Sequence, residues 1–166
     1  MVKNIYFVLS LLLISCQGIS QKTIESNTNK DKDASNYKVN KTDKEWRAEL
    51  TDMQYYVLRK AGTEIAGSSN LLDNKKEGTY ACAACNTHLF KSTYKYDSGS
   101  GWPSFDREIK NNVAFDVDYK IGYERIEEHC ATCGGHLGHV FKDGPKETTG
   151  KRHCVNGAAL TFIPKK

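Results

Sequence analysis

Between residues 42 and 60, polar and apolar positions alternate with a helical period. Thr42 and Thr51 each stand three positions before a Glu or Gln, the capping-box pattern that begins helices. The apolar positions that follow are Trp46, Leu50, Met53, Tyr56, Val57 and Leu58. The pattern predicts two short helices, and we expect Trp46 and Tyr56 to pack against a sheet.

After residue 62 the pattern changes to short segments rich in Tyr, Phe, Val and Thr and separated by glycines. Such segments are typical of strands. They lie at residues 78–81, 113–118, 123–129, 137–141 and 154–163. We therefore predict a mainly antiparallel β domain over residues 42–166. A Gly-rich phosphate loop between a strand and a helix does not occur, so no nucleotide cofactor is indicated.

The first fifteen residues have the pattern of an export signal. Lys3 precedes a continuous apolar run over residues 5–14, which is too short to cross a bilayer comfortably. The run ends in Leu-Ile-Ser-Cys at residues 13–16, which resembles the lipobox of bacterial lipoproteins. We expect cleavage after residue 15 and lipidation of Cys16, with the protein membrane-anchored in the bacterial cell envelope, facing the periplasm or the exterior. The alternatives are an ordinary secretory leader with an incidental cysteine and an uncleaved membrane anchor.

The following segment, residues 16–41, is predicted to be a disordered tether. It consists mainly of Ser, Asn, Thr, Lys and Asp and has too few apolar side chains to offset the entropy of ordering. The whole chain has a net charge of only +4 and shows no basic stripe interleaved with aromatic residues, so nucleic-acid binding is not expected.

Six cysteines divide into two C-x-x-C pairs and two single residues. Each pair can supply two corners of a thiolate tetrahedron around Zn²⁺. The pairs are Cys82 with Cys85 and Cys130 with Cys133, and they predict one structural zinc ion that joins two distant parts of the fold. Two structural disulfides are the alternative in an oxidising compartment. His88 is expected to be a surface or packing residue because four thiolates fill the coordination shell.

Cys154 is the remaining free thiol if lipid takes Cys16 and zinc takes four cysteines. Arg152 stands two positions away along a predicted strand, where its charge can favour the reactive thiolate. The simpler interpretation is a small buried apolar residue. Two further motifs favour a reactive site: His136 and His139 stand three positions apart beside a knuckle, and Trp102 lies in a turn between glycines.

Three long motifs resemble the B-type methionine sulfoxide reductases: SGSGWPSF at residues 98–105, GHLGHVF at residues 135–141 and RHCVN at residues 152–156. With the two C-x-x-C pairs, the resemblance covers about residues 44–164. It implies a fold of two twisted antiparallel sheets with short N-terminal helices and a structural zinc-binding site of four cysteines. It also implies reduction of methionine-(R)-sulfoxide, chiefly in proteins or peptides, at a shallow, solvent-facing site.

The resemblance implies a role for each matching residue. Cys154 corresponds to the catalytic nucleophile, which attacks the sulfoxide sulfur and becomes a sulfenic acid. His136, His139 and Asn156 correspond to residues that position and help protonate the sulfoxide oxygen. Trp102 corresponds to the indole that packs on the terminal methyl group of the substrate, and Phe162 is expected on the same side.

The chain departs from the family at two positions. Many members carry a resolving cysteine where this chain has Ser100, and a hydroxyl cannot form a disulfide. We therefore expect the sulfenic acid to be reduced by an external thiol, from a thioredoxin-like protein or a small molecule. His153 occupies a position where relatives frequently have Tyr or Phe, with an effect that the sequence does not predict.

Two alternative functions remain open from the sequence. The first is a non-enzymatic zinc-binding lipoprotein that uses the same fold for partner recognition. The second is a reductase that prefers free methionine sulfoxide. The expected partners are oxidised proteins or peptides, the external reductant and the membrane, and we expect a monomer.

Overall fold

The computed structural model describes residues 36–166. The predicted leader, the lipidation at Cys16 and most of the predicted tether lie outside the described residues. Within residues 36–166, none of the helices has the length and apolar character needed to span a membrane. Residues just before position 42 contact the β domain. The Val39 amide donates to the Thr132 carbonyl at 2.9 Å, and the Tyr37 ring meets His129 edge-on.

Two short helices open the domain, as predicted. Helix α1 spans Asp43–Glu49 and helix α2 spans Asp52–Lys60. Both begin with a complete capping box, in which the Thr42 or Thr51 side chain accepts from the third helical amide while the side chain of that residue accepts from the threonine amide. These paired bonds satisfy helix-end donors that the helix itself leaves open.

The predicted packing of the helices is correct for Trp46 and wrong for Tyr56. Trp46 is buried, whereas the Tyr56 ring is half exposed and lies over Gly62, where even a single methyl group would overlap it. The neighbouring Tyr55 is the buried tyrosine, and the Arg47 guanidinium lies 4.0 Å from the centre of its ring. The helical period alone does not distinguish these adjacent aromatic positions.

Within residues 36–166, nine strands follow the helices and form two antiparallel sheets, and the mainly β fold of two sheets was predicted. The smaller sheet has the order β2-β1-β9 and the larger has the order β3-β4-β8-β7-β6-β5. The strands are β1 (Gly78–Cys82), β2 (His88–Lys91), β3 (Lys95–Tyr96), β4 (Ser104–Phe105), β5 (Val113–Asp118), β6 (Arg125–Cys130), β7 (His136–Phe141), β8 (Arg152–Val155) and β9 (Leu160–Pro164).

The apolar run at residues 154–163, predicted as one strand, divides between the two sheets. Strand β8 ends at Val155, a 3₁₀ turn covers Gly157–Ala159, and β9 begins at Leu160. The chain thereby passes from the sheet that carries Cys154 to the sheet beside the first knuckle. The core between the sheets contains a stack of Phe90 on Phe105, with ring centres 4.3 Å apart, and Tyr80 packs against the stack.

His153 lies in this core between two carboxylates. Its Nδ1 is 2.7 Å from Oε2 of the fully buried Glu128, and its Nε2 is 3.3 Å from Oε2 of Glu108. The ring also lies against Phe90. The His153 imidazole thus has a buried acid of β6 as its partner in the core.

Removing one member of this pair should destabilise the protein. Glu128→Leu leaves the buried imidazole without its closer carboxylate and should lower the free energy of unfolding by about 3–5 kcal/mol. Adding His153→Phe replaces both polar groups by apolar ones and should restore most of the loss. Urea unfolding of the reduced protein, followed by circular dichroism, measures both effects. Equal instability of the single and double variants would contradict the expectation.

Candidate functional site

The register of the larger sheet places Cys154 beside His139. Cys154 on β8 is paired with His139 on β7 and with Ser104 on β4, and His139 is paired with Glu127 on β6. Residues that oppose each other in antiparallel strands project from the same face of the sheet. The four side chains therefore form one row across four strands.

A glycine allows β7 to approach β8 next to the thiol. A Cβ atom on Gly138 would lie 2.0 Å from the carbonyl oxygen of Cys154, well inside contact distance. Any larger residue would force the two strands apart. The pairing of His139 with Cys154 depends on this contact.

Both predicted imidazoles are held by carboxylates. The His139 Nε2 lies 2.7 Å from Asp118 Oδ2, and the His136 Nδ1 lies 2.8 Å from Glu127 Oε1. The two imidazole rings are 5.5 Å apart. Burial lowers the pKa of His139 although Asp118 opposes that shift. Each imidazole keeps its second ring nitrogen for other partners.

Asp118 is itself fixed by several donors. Its carboxylate accepts from the Lys120 amide at 2.6 Å and from the Arg125 guanidinium. Although burial would raise the pKa of Asp118, hydrogen bonds from Lys120, His139 and Arg125 outweigh it and lower the pKa to about 2. The carboxylate thus stays charged and holds the imidazole in one orientation.

A cavity of about 260 Å³ lies beside the two imidazoles. It is bounded by the end of α2, the β5–β6 hairpin and β7. The lining residues are Tyr56, Ala61, Gly62, Thr63, Asp118, Lys120, Ile121, Arg125, Glu127, His136 and His139. A small substrate group could be enclosed here next to nitrogen donors.

The thiol of Cys154 is partly buried and has a hydroxyl neighbour. Its Sγ lies 3.8 Å from the Ser100 Oγ. Burial raises the pKa of Cys154, while the Ser100 hydroxyl and the charge of Arg152 oppose that rise. Burial thus disfavours the thiolate of Cys154, and two neighbouring groups are placed to favour it.

Three serine hydroxyls form a chain that ends at this thiol. The Ser100 Oγ is 2.9 Å from the Ser98 Oγ, which is 2.7 Å from the Ser104 Oγ, and Ser104 donates to the Trp102 carbonyl at 3.1 Å. The chain ties the turn at residues 98–104 to the strand that carries Cys154.

Arg152 is held in place by Asp143. Two parallel hydrogen bonds of 2.9 and 2.8 Å join the guanidinium to the Asp143 carboxylate, and the guanidinium lies 4.4 Å from the centre of the Phe141 ring. Because Arg152 stands two positions from Cys154 along β8, the two side chains share one face. Arg152 therefore pairs with Asp143 and also lies on the face where its charge can act on Cys154.

Asn156 and Trp102 are both anchored to the loop that follows α2. The Asn156 Oδ1 accepts from the Glu64 amide at 3.0 Å, and its Nδ2 donates to the Leu137 carbonyl at 2.9 Å. The Trp102 indole donates to the Glu64 carbonyl at 3.3 Å. Two predicted site residues thus share a partner that the sequence did not indicate.

Phe162 lies in the smaller sheet. It is paired with Tyr80 across β1 and β9, and the two rings are 5.0 Å apart. The structure therefore places Phe162 against the core, on a different sheet from Cys154.

Sequence reasoning missed Glu64, Asp118 and Glu127. Asp118 and Glu127 lie on the same face of their strands as the row that contains Cys154, so polar alternation along β5 and β6 was an available signal. Glu64 lies in a loop without periodicity, and no sequence signal marks it.

The four paired cysteines come together as predicted. The Cys82 and Cys133 sulfurs are 3.7 Å apart, the Cys85 and Cys130 sulfurs are 3.5 Å apart, and all four lie within 4.8 Å of one another. A tetrahedron of sulfurs at 2.3 Å from a Zn²⁺ ion has edges of roughly 3.8 Å. The spacing fits a metal ion and exceeds the ~2.05 Å of a disulfide bond.

The two knuckles have the same local geometry. Asn86 donates its amide to the Cys82 carbonyl, and Gly134 donates to the Cys130 carbonyl, both at 2.8 Å. Each of these residues directly follows the second cysteine and has a positive φ, of 59° and 69°. His88 is exposed on β2, which agrees with its interpretation as a surface residue.

The four thiols of the cluster shift one another's pKa values. Hydrogen bonding with Cys130 holds the pKa of Cys85 well below its usual range, while bonding with Cys133 lowers the pKa of Cys130 to about 7. Hydrogen bonding with Cys130 also raises the pKa of Cys82. All four sulfurs could be thiolates together if a metal ion were bound between them.

Fold and site together define a class: mainly β proteins with a cluster of four cysteines that could hold a metal ion and with one further thiol on the face of a sheet. A family model described as the SelR domain matches residues 50–164. The peptide methionine sulfoxide reductase MsrB of Leptospira interrogans is 53% identical over 128 residues, which cover 76% of this chain and 97% of that protein.

Two further relatives extend the comparison. MsrB of Leifsonia xyli subsp. xyli is 50% identical over 130 residues, covering 78% of this chain and 94% of that protein. Methionine-R-sulfoxide reductase B3, mitochondrial, of Mus musculus is 46% identical over 134 residues, covering 80% of this chain and 53% of the mouse protein. The chain belongs to the family of B-type peptide methionine sulfoxide reductases.

The environment of Cys154 predicts the pH dependence of its reactivity. Because burial raises the pKa of this thiol and the thiolate is the nucleophile, alkylation by iodoacetamide should accelerate with pH beyond the range of an ordinary thiol. Arg152→Gln removes a stabilising charge and should slow alkylation at pH 8 severalfold. Mass spectrometry of the Cys154 peptide measures the rate. Arg107→Gln, at an exposed Arg paired with Asp106, is the control and should not change it.

Proposed function

We propose that the protein reduces methionine-(R)-sulfoxide, chiefly in proteins or peptides, to methionine. The observation that carries the proposal is the pairing of Cys154 with the carboxylate-held His139 across β7 and β8. Membership of the reductase family supports the same conclusion and does not favour a purely binding role.

The proposed reaction begins with the Cys154 thiolate. It attacks the sulfoxide sulfur while the sulfoxide oxygen takes up a proton, and the oxygen ends on the cysteine. Methionine sulfoxide and a thiol thus become methionine and a sulfenic acid, so one sulfur is reduced by two electrons and the other is oxidised by two. Arg152 and the Ser100 hydroxyl favour the thiolate that this step consumes.

His136 and His139 are the proposed proton donors and binding groups for the sulfoxide oxygen. Each imidazole has one nitrogen on a carboxylate, which fixes the ring and leaves the other nitrogen for the substrate. Asn156 contributes mainly by position, because backbone groups occupy its amide oxygen and one N–H bond. Trp102 is the proposed wall for the substrate methyl group. Separate places for oxygen and methyl explain selection of one epimer.

Activity on peptides with R- or S-methionine sulfoxide tests this function directly. With dithiothreitol as reductant, wild type should consume only the R epimer. Cys154→Ser should lower the rate to the uncatalysed background because the nucleophile is lost. Product formation is measured by chromatography. Failure of reduced, metal-loaded wild type to consume either epimer would overturn the proposal, and a preference for free methionine sulfoxide would change the substrate class.

We also propose that regeneration comes from an external thiol, of a thioredoxin-like protein or a small molecule. The residue next to the Cys154 sulfur is Ser100, whose hydroxyl cannot resolve a sulfenic acid. The remaining cysteines among residues 36–166 form the metal cluster.

A single-turnover experiment tests this proposal. After one equivalent of R-sulfoxide, wild type should carry a sulfenic acid at Cys154 that dimedone traps. Ser100→Cys should instead form a disulfide with Cys154, because the wild-type oxygen and sulfur are only 3.8 Å apart. Ser98→Cys is the control. Ser98 contacts Ser100 rather than Cys154, so this variant should not form the disulfide. A wild-type disulfide between Cys154 and a cluster cysteine would refute external regeneration.

The cluster cysteines Cys82, Cys85, Cys130 and Cys133 are proposed to hold one structural Zn²⁺ per chain. Four thiolates favour Zn²⁺ in a closed tetrahedral site, and a closed site leaves no position for substrate. The ion would connect the turn after β1 with the turn after β6.

Metal analysis tests the zinc proposal. Wild type and Cys154→Ser should each bind one zinc ion. Cys85→Ser should lose it and unfold at a temperature lower by roughly 10 °C or more, because metal binding contributes directly to folding. Retention of full zinc and stability by Cys85→Ser would contradict a structural role.

The N-terminal pattern supports a proposal about location. The apolar run at residues 5–14 followed by Cys16 fits a lipoprotein signal, and the polar segment after it fits a tether to the membrane surface of the bacterial envelope. A monomer on such a tether could reach oxidised envelope proteins.

A further inference from the structure

The loop between α2 and β1 contains a buried acid, Glu64, that the reaction described above does not use. Only 6% of the Glu64 surface is exposed, although acids are rarely buried without specific partners. Its neighbour Ile65 is 78% exposed. The loop therefore directs this one charged side chain inward at a position next to the site.

The Glu64 carboxylate binds the segment that follows Cys154. Its two oxygens accept from the backbone amides of Gly157 and Ala158, the latter at 2.9 Å. These amides begin the 3₁₀ turn where the chain leaves the larger sheet. Hydrogen bonds to a charged acceptor are stronger than those between neutral groups, so the carboxylate fixes the turn.

The Glu64 backbone binds two site residues at the same time. Its amide donates to the Asn156 Oδ1 at 3.0 Å, and its carbonyl accepts from the Trp102 indole at 3.3 Å. One residue therefore joins the proposed methyl wall, the asparagine two positions after Cys154 and the turn beyond it.

A second contact connects the same loop to the turn that carries Trp102. The Gly67 amide donates to the Gly101 carbonyl at 2.7 Å. Gly101 has a φ of +89°, and a Cβ there would lie 2.9 Å from the Ala66 side chain. The two backbones are thus in close contact, and a displacement of the loop at Glu64 would move Trp102.

We propose that Glu64 is a positioning residue that sets the distance between Trp102 and Asn156, and thereby how closely the substrate methyl group fits. The inference rests on the proposed reduction of methionine-(R)-sulfoxide. Glu64 acts through its partners and does not touch the reacting atoms.

Glu64→Gln is the informative variant because it keeps the size of the side chain. The amide can accept from one backbone N–H but presents its own NH₂ group to the other, which loses its acceptor. The loop should shift away from the 3₁₀ turn, and Trp102, which donates to the Glu64 carbonyl, should move with the loop. A wider methyl site should discriminate less between alkyl groups of different length.

The experiment compares kcat/KM for two peptides, one with R-methionine sulfoxide and one with R-ethionine sulfoxide, which has one more methylene. One methylene changes the specificity of an apolar pocket by roughly 10- to 200-fold. Glu64→Gln should lower the wild-type ratio by about threefold or more. Acrylamide should also quench Trp102 fluorescence more strongly, and Trp46, which is 2% exposed, contributes little to that quenching.

Two further variants complete the design. Glu77→Gln, at an exposed acid that pairs with Lys165, should leave both the ratio and the quenching unchanged. Glu64→Asp keeps the charge on a shorter side chain and should shift both readouts in the same direction as Glu64→Gln, by less. It serves as the test if Glu64→Gln does not fold.

The outcomes separate this inference from the proposed function. If the Glu64 variants slow both peptides equally and leave the quenching unchanged, Glu64 only stabilises the fold and the inference is overturned. Wild-type activity on the R-methionine peptide with an unchanged ratio in both Glu64 variants overturns it as well. If wild type reduces neither peptide, the proposed reaction fails, and the quenching experiment still decides whether Glu64 positions Trp102.

Discussion

The position of β8 between β4 and β7 determines the rest of the site. Strand β8 presents Cys154 to one face and His153 to the other, so a single register sets both the position of the thiol and the buried contact of His153 with Glu128. A slip of one residue would exchange them and bury the thiol among Phe90 and Glu128. Gly138 secures the register because only a residue without a side chain lets β7 approach the Cys154 carbonyl so closely.

The pKa values of side chains near β8 reflect two opposing effects: burial disfavours charged forms, and neighbouring polar or charged groups favour them. Burial disfavours the thiolate, while a hydroxyl and a guanidinium favour it. The pKa of His139 is set by a similar opposition, because burial disfavours its charged form and the Asp118 carboxylate favours it. The carboxylates of Asp118 and Asp143 hold His139 and Arg152 in place around the thiol.

The sequence predicted the components of the site better than their connections. The four-cysteine cluster follows from residue type and spacing, since metal chemistry restricts the possible residues, whereas the roles expected for Cys154 and the paired histidines came from the resemblance to the family. The very short strands β3 and β4 were not predicted because two residues show no periodicity. Glu64 was missed because its importance comes from contacts with residues about ninety positions away along the chain, which a local pattern does not show. Tyr55 and Tyr56 show that a helical period locates a face only to within one residue.

Ser100 has a kinetic consequence that reaches beyond the site. Under the proposed mechanism, an enzyme with a hydroxyl at this position would retain the oxygen atom of its substrate on its own sulfur until another molecule removes it. In the absence of reductant, the amount of methionine formed would then equal the number of competent protein molecules, so that product formation would count the active sites. In the cell, throughput would follow the supply of electrons rather than the abundance of damaged methionine.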